Sequence, residues 1–248
     1  MDRGLYVAMT GASHIVRQQA TNANNLANVS TDGFRQQIDM FRAVPIRGDG
    51  WPTRTMVVDS TPKFDLRQGP IIHTENTLNV AIRNDGWFAV QMPDGSEAYT
   101  RKGDFTVNEM GILQTHDGRN VLGAGGEPIA IPEYTRVTIG EDGTISTVEE
   151  QNITSAEVNV IGRLKLVQIE PTNLIKSGDA LFKTKDRTVP DADFNVRVAQ
   201  GYLEGSNVNP AEVLVEMINL GRMFETHMKT ISTADERAQR ATQLLSRQ

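Results

Sequence analysis

The two ends of the chain carry residues at alternating steps of four and three, the spacing of a helical seam. Leu5, Met9, Ala12, Val16, Gln19, Ala23 and Leu26 follow it at the start, and a repeat of seven places them along one line of an α-helix. Asn24, Asn25 and Asn28 crowd the end of this run before Ser30-Thr31-Asp32-Gly33 supplies turn chemistry, so a helix is expected to stop near Asn28. At the other end Asn209 suits an N-cap and Pro210 the first helical position. Leu214, Met217, Gly221, Phe224, Met228 and Ile231 then repeat the spacing, with Ala238 and Leu245 continuing it. Such a stripe ordinarily packs on its own domain's core. These two are terminal and poor in large residues, and small residues bury little area at about 25 cal/mol per Å². Helices of this kind need further helices around them. They are also marginal when isolated, so the two ends are expected to fold on assembly. Gln19 and the asparagines are residue types that fix register and partner choice in coiled coils.

Between the ends the period changes to two, and Asp-Gly or Gly-rich turns recur at short intervals. Trp87 to Met92 and Glu97 to Arg101 flank Pro93-Asp94-Gly95-Ser96; Phe105 to Val107 and Ile112 to Gln114 flank Asn108 to Gly111. Val137 to Ile139 meets Thr144 to Val148 across Gly140-Glu141-Asp142-Gly143, making three expected hairpins. One long strand is expected from about Val158 to Ile169, and a last one over Asn195 to Leu203. Residues 36–74 carry Pro45, Gly48, Gly50, Pro52, Pro62, Gly69 and Pro70 among short extended pieces and read as an extended connector. The expected class is α+β, mainly β with terminal helices. Residues 1–35 and 205–248 form a coiled-coil-like helical assembly domain, 36–74 the connector, and 75–204 an all-β domain of irregular hairpins.

Composition removes most other chemistries. The 248 residues are 38% hydrophobic and 23% charged, within the globular range. A net charge of −6 with no lysine or arginine block argues against a nucleic-acid partner. No run is long and apolar enough for membrane insertion, and the first residues hold no apolar stretch typical of a cleaved signal peptide. Cysteine is absent, which removes disulfides and thiolate sites. His14, His73, His116 and His227 show no metal-ligand spacing. Ser60-Thr61-Pro62-Lys63 matches the S-x-x-K string of acyl-transferring enzymes, but Pro62 interrupts the helical turn that chemistry needs. Gly123-Ala124-Gly125-Gly126 lacks the Lys-Ser or Lys-Thr of a phosphate loop, and Asp191-Ala192-Asp193 lacks the glycine and glutamate of a calcium loop. No catalytic, cofactor or metal residues are assigned.

Three segments carry a family resemblance. Ala23 to Arg35 (ANNLANVSTDGFR), Ala98 to Phe105 (AYTRKGDF, with Gly111-Ile112-Leu113 following) and Gly201 to Val213 (GYLEGSNVNPAEV) resemble, in order, the signatures of the bacterial flagellar axial proteins, the rod and hook family. MDRGLYVAMTGA, FRAVPIRGDG and Val57-Val58-Asp59-Ser60-Thr61-Pro62 are most similar to its proximal-rod members, with the distal rod as alternative. The resemblance implies a structural subunit without a cofactor, exported uncleaved by the flagellar type III apparatus and assembled in the periplasm. Its partners would be proximal and distal rod subunits and further copies of itself. Its terminal helices would form the inner tube and its β domain would lie outside. On this reading the assembly interface is Leu5, Met9, Ala12, Val16, Gln19, Ala23, Asn24, Asn25, Leu26, Asn28, Leu214, Met217, Gly221, Phe224, Met228 and Ile231.

Overall fold

A computed structural model describes residues 3–45, 55–132, 135–149, 158–178 and 180–245. The chain divides into two units, one made of residues 1–29, 36–65 and 208–248 and the other of 30–35 and 66–207.

The first unit is helical with one β-hairpin. Helix α1 (Arg3–Ala27) ends where Asn28 turns back, its backbone N bonding to Asn24 O at 3.2 Å and its side-chain Nδ2 to the same oxygen at 2.9 Å. Helix α2 (Pro210–Leu245) starts under Asn209, whose Oδ1 accepts from Ala211 N at 3.1 Å, as an N-cap should. The helices pack antiparallel. Gly11 lies against the His227 ring, while Leu5 and Ala8 share a groove of about 370 Å³ with Thr233, Ala234 and Arg237. With 36 residues against 25, α2 continues past the first turn of α1.

Residues 36–74 differ from the expected connector. Strands β1 (Gln37–Pro45) and β2 (Thr55–Phe64) pair antiparallel as a hairpin within the helical unit. Their register slips between Ile38 and Met40, so that one residue of β1 faces two of β2, Thr61 and Pro62. A proline has no N–H to give a ladder, and a bulge is where a strand tolerates one. Of the residues that suggested a linker, Gly48, Gly50 and Pro52 fall on 46–54, outside the described residues. Ser60 and Lys63 stand on a strand and not on one helical turn.

The second unit is β apart from one 3-10 turn at Pro171–Asn173. Its strands are β3 (Ile71–His73), β4 (Val80–Ile82), β5 (Trp87–Gln91), β6 (Glu97–Thr100), β7 (Phe105–Val107), β8 (Leu113–Thr115), β9 (Thr135–Ile139) and β10 (Thr144–Glu149). β11 (Val158–Arg163), β12 (Leu166–Val167), β13 (Leu174–Gly178), β14 (Leu181–Thr184), β15 (Val198–Gln200) and β16 (Tyr202–Glu204) follow. A five-stranded sheet runs β12-β5-β6-β14-β13 and a three-stranded one β11-β10-β9; β15-β4, β16-β3 and β7-β8 are separate pairs. The single strand expected over Val158 to Ile169 is two strands in different sheets, because the chain changes sheet at the buried Leu164 and Lys165. The one expected over Asn195 to Leu203 is broken at Gly201, whose φ of 79° no ladder accommodates. Phe88, Phe105, Leu113, Ile145 and Leu166 centre the core, with Phe88 and Phe105 edge to face at 5.1 Å.

Gly103 marks the tightest approach in this unit. A Cβ there would lie 1.6 Å from Val80 O, and Val80 N donates to Gly103 O at 2.9 Å. Gly103→Ala is therefore expected to force two backbones apart and cost on the order of 3 kcal/mol, read as a lower midpoint in denaturant unfolding.

Candidate assembly interface

Helix α1 carries two stripes. The inner one packs within the subunit and runs through Leu5, Ala8, Ala12, Ile15, Gln18, Asn22 and Asn25, of which Ala8, Ala12, Ile15, Asn22 and Asn25 are buried. The outer one, Tyr6, Met9, Ser13, Val16, Ala20, Ala23 and Ala27, keeps the three-and-four spacing and is exposed along its whole length. The seam read from sequence mixes the two. Leu5 and Ala12 are inner, Met9, Val16 and Ala23 are outer, Leu26 lies half-buried between them, and Gln19 is exposed. On α2 the inner line is Val213, Met217, Leu220, Phe224, His227, Ile231 and Ala234, at heptad spacing. Met217, Phe224 and Ile231 of the expected set lie on it. Leu214 and Met228 are exposed at 49% and 46%, one residue off the inner line, and Gly221 is half-buried beside it. The side chains of Ala238 and Leu245 lie outside the described residues.

The displaced register has a physical cause. A run with apolar residues at both i and i+1 fits two adjacent heptad lines equally well, and only packing selects between them. Val213 and Leu220, seven apart and buried at 1% and 4% exposure, are the α2 pair that spacing alone did not select.

The asparagines divide in the same way. Asn25 is fully buried, its Nδ2 donating to Gln37 O and its Oδ1 accepting from Gln37 N, both at 2.9 Å. One side-chain amide thus stands in for a neighbouring strand at the start of β1. Asn24 and Asn28 close the helix end upon one another. His14 joins α1 to the hairpin through Nε2 and Val57 O at 2.9 Å, with its ring edge-on to Phe41 at 5.3 Å.

In the β unit the three signature segments meet at one carboxylate. Glu204 Oε1 lies 2.6 Å from Arg35 Nη2 and accepts from Gly69 N at 3.1 Å; Oε2 accepts from Arg101 Nη1 at 3.0 Å. The carbonyl of Glu204 accepts from Gly33 N at 2.6 Å. Arg35 belongs to the first segment, Arg101 to the second and Glu204 to the third, and all three side chains are buried. Arg101 also donates to Asn84 O at 3.0 Å and lies over the Trp87 ring at 5.4 Å. Burial lowers its pKa, with the Glu204 charge opposing. Sequence reasoning quoted these residues inside motifs without giving them a role; the available signal was a charged residue in each of three separate signatures.

A second charged group sits around Lys102, which bonds to Asp117 at 2.8 Å. Burial raises the pKa of Asp32 and of Asp104 against the pull of Lys102, and Asp104 Oδ1 has no hydrogen-bond partner among the described residues. Asp32 and Asp117 add repulsion to Asp104. A carboxyl whose pKa rises on folding stabilises the fold when protonated, a contribution lost as pH rises through the folded-state value. Asp104→Asn is therefore expected to raise the melting temperature at neutral pH and leave it unchanged at acidic pH where the carboxyl is neutral in both states. Glu204→Leu strands two buried guanidinium groups, and thermal or denaturant unfolding is expected to show a loss of about 3–5 kcal/mol.

Comparison with known proteins shows the family. Residues 5–35 match the family described as flagella basal body rod protein, 81–147 the flagellar hook protein FlgE/F/G D1 domain, and 199–244 the flagellar basal body rod FlgEFG protein C-terminal region. The flagellar basal-body rod protein FlgF of Escherichia coli (strain K12) is 45% identical over 252 residues, spanning 99% of both chains. FlgF of Caulobacter vibrioides is 33% identical over 253 residues, covering 100% of this chain and 99% of that one. The rod protein FlgG of Buchnera aphidicola from Schizaphis graminum is 31% identical over 260 residues, covering 97% and 98%. With its three signatures joined at Glu204 and its full length matched, the chain belongs to the flagellar basal-body rod proteins of the FlgE/F/G family, as an FlgF-like member.

Proposed function

We propose that this chain is a structural subunit of the proximal part of the flagellar rod, the drive shaft that transmits torque, and that its terminal helices are the assembly surface. The observation that carries this reading is the second apolar stripe. The inner seam is covered by the partner helix of the same subunit, whereas Met9 and Val16 on α1 are each 51% exposed, and Leu214, Val215, Ile218 and Met228 on α2 are exposed as well. A helical pair that is apolar on two sides has buried half of what it has to bury. Further copies of the subunit and other rod subunits are the partners of the outer stripes. A filament needs a heterologous, non-closing contact, and stripes on two different helices provide two different surfaces. On the inner seam α1 offers only two large apolar residues, Leu5 and Ile15, beside Ala8, Ala12 and polar groups, so the pair gains little in isolation and completes its stability on assembly. Residues 1–29 and 208–248 with the β1-β2 hairpin form the assembly part, and the β unit, residues 30–35 and 66–207, is the outer domain. Export through the flagellar type III apparatus without a cleaved signal, and assembly in the periplasm, complete the proposal. The 45% match is an FlgF, and in Buchnera aphidicola from Schizaphis graminum the FlgF is 33% identical and the FlgG 31%; this favours the proximal position, and crosslinking in basal bodies separates the two.

The two stripes separate assembly from folding. Met9→Asp and Val16→Asp are expected to change subunit stability by no more than about 0.5 kcal/mol, as for exposed sites, yet to abolish rod assembly and motility. Leu26→Asp and Phe224→Asp, half-buried in the subunit, are expected to loosen the helical pair as well, with the β unit still folded. Normal motility in the Met9→Asp, Val16→Asp double variant would sink the assignment.

A further inference from the structure

Residues 30–35 lie between α1 and β1 in sequence, yet they belong to the β unit. Phe34 is 0% exposed and Arg35 1%. Phe34 O accepts from Asn207 N at 3.3 Å, and Lys176 Nζ stands 5.1 Å from the Phe34 ring. Gly33 has a φ of 65° and donates to Glu204 O. A Cβ at Gly33 would lie 2.5 Å from Arg101 C and 2.6 Å from Lys102 N, so backbone fills that side of the segment. The other end of the contact, Glu204 to Asn207, stops just short of α2. Asn207 Nδ2 also holds Arg67 O at 3.0 Å, and Gly69 N bonds to Glu204.

We infer that residues 30–35 are a strap that docks into the β unit independently of the helices, so that the start points of both helical ends are joined before the helices pair. The contrast in burial supports this order. The strap is held by a fully buried aromatic ring, a buried ion pair and two backbone hydrogen bonds, whereas the inner face of α1 presents mainly Ala8, Ala12 and one isoleucine. Positions 35 and 204 are far apart in the chain, and their contact closes that loop once. Pairing of α1 with α2 then becomes a local event at high effective concentration, without the closure entropy of the whole intervening chain. The strap is thus a conformational device: it keeps the two ends of a subunit together while their helices are still unpaired.

Amide hydrogen exchange on the free full-length protein tests the order directly. The Gly33 amide is expected to exchange with slow β-unit amides such as Ala89, and at least about tenfold slower than the Ile15 amide in the middle of α1. Exchange of Gly33 in step with Ile15 would overturn the inference. Gly33→Ala leaves every charge in place but removes the space the strap needs. It is expected to speed exchange at Phe34 by at least about tenfold and to lower the helical signal at 222 nm, while Ala89 stays protected. A Gly33→Ala protein with its strap released and its helical signal intact would show that the strap does not join the ends.

Discussion

The carboxylate of Glu204 holds together the segments through which the chain enters and leaves the β unit. It is buried, and it faces two guanidinium groups and one backbone amide from three distant parts of the sequence. A buried ion cluster is weak evidence for stability in itself, because desolvation offsets much of the Coulomb attraction. Its value lies in specificity, since any other pairing of these segments leaves a charge buried alone. Gly33 and Gly69 complete the arrangement by letting backbone approach where a side chain would stand.

Seen from the sequence, the most local features were the most legible. Asn209 and Pro210 marked the start of α2, the Asn24 to Asn28 cluster marked the end of α1, and the Asp-Gly turns sit between paired strands. Each is settled by a few neighbouring residues. Features decided at a distance were not legible. The choice between adjacent heptad lines on α2 depends on what α1 presents, so Val213 and Leu220 replaced Leu214 and Gly221 on the inner line. The β1-β2 hairpin was hidden because its Pro62 reads as a breaker until a bulge is seen to absorb it. Asn25 had the right residue type for a register-fixing polar group, and its partner turned out to be the edge of β1 in the same subunit.

For a filament subunit the two stripes of α1 have complementary costs. An inner seam of larger residues would make the lone subunit more stable and its helices thicker, while alanine keeps the pair slender. Exposed Met9 and Val16 would be a liability in a protein meant to remain monomeric, where contiguous apolar patches invite association. If the outer stripe is the assembly surface, as proposed, that exposure serves association, and the exposed Arg17 beside Val16 limits the directions in which it can proceed.

The β unit is an insertion in a helical unit whose halves are far apart in sequence. Residues 33–35, the start of the β segment at Gly69 and the approach to α2 are gathered at Glu204, so the chain enters and leaves the β unit at neighbouring points. Insertions of this kind are tolerated when entry and exit lie close together. The inserted part is therefore free to lengthen, shorten or change its surface without disturbing the helical part. One helical unit can in this way carry β units of different size and surface.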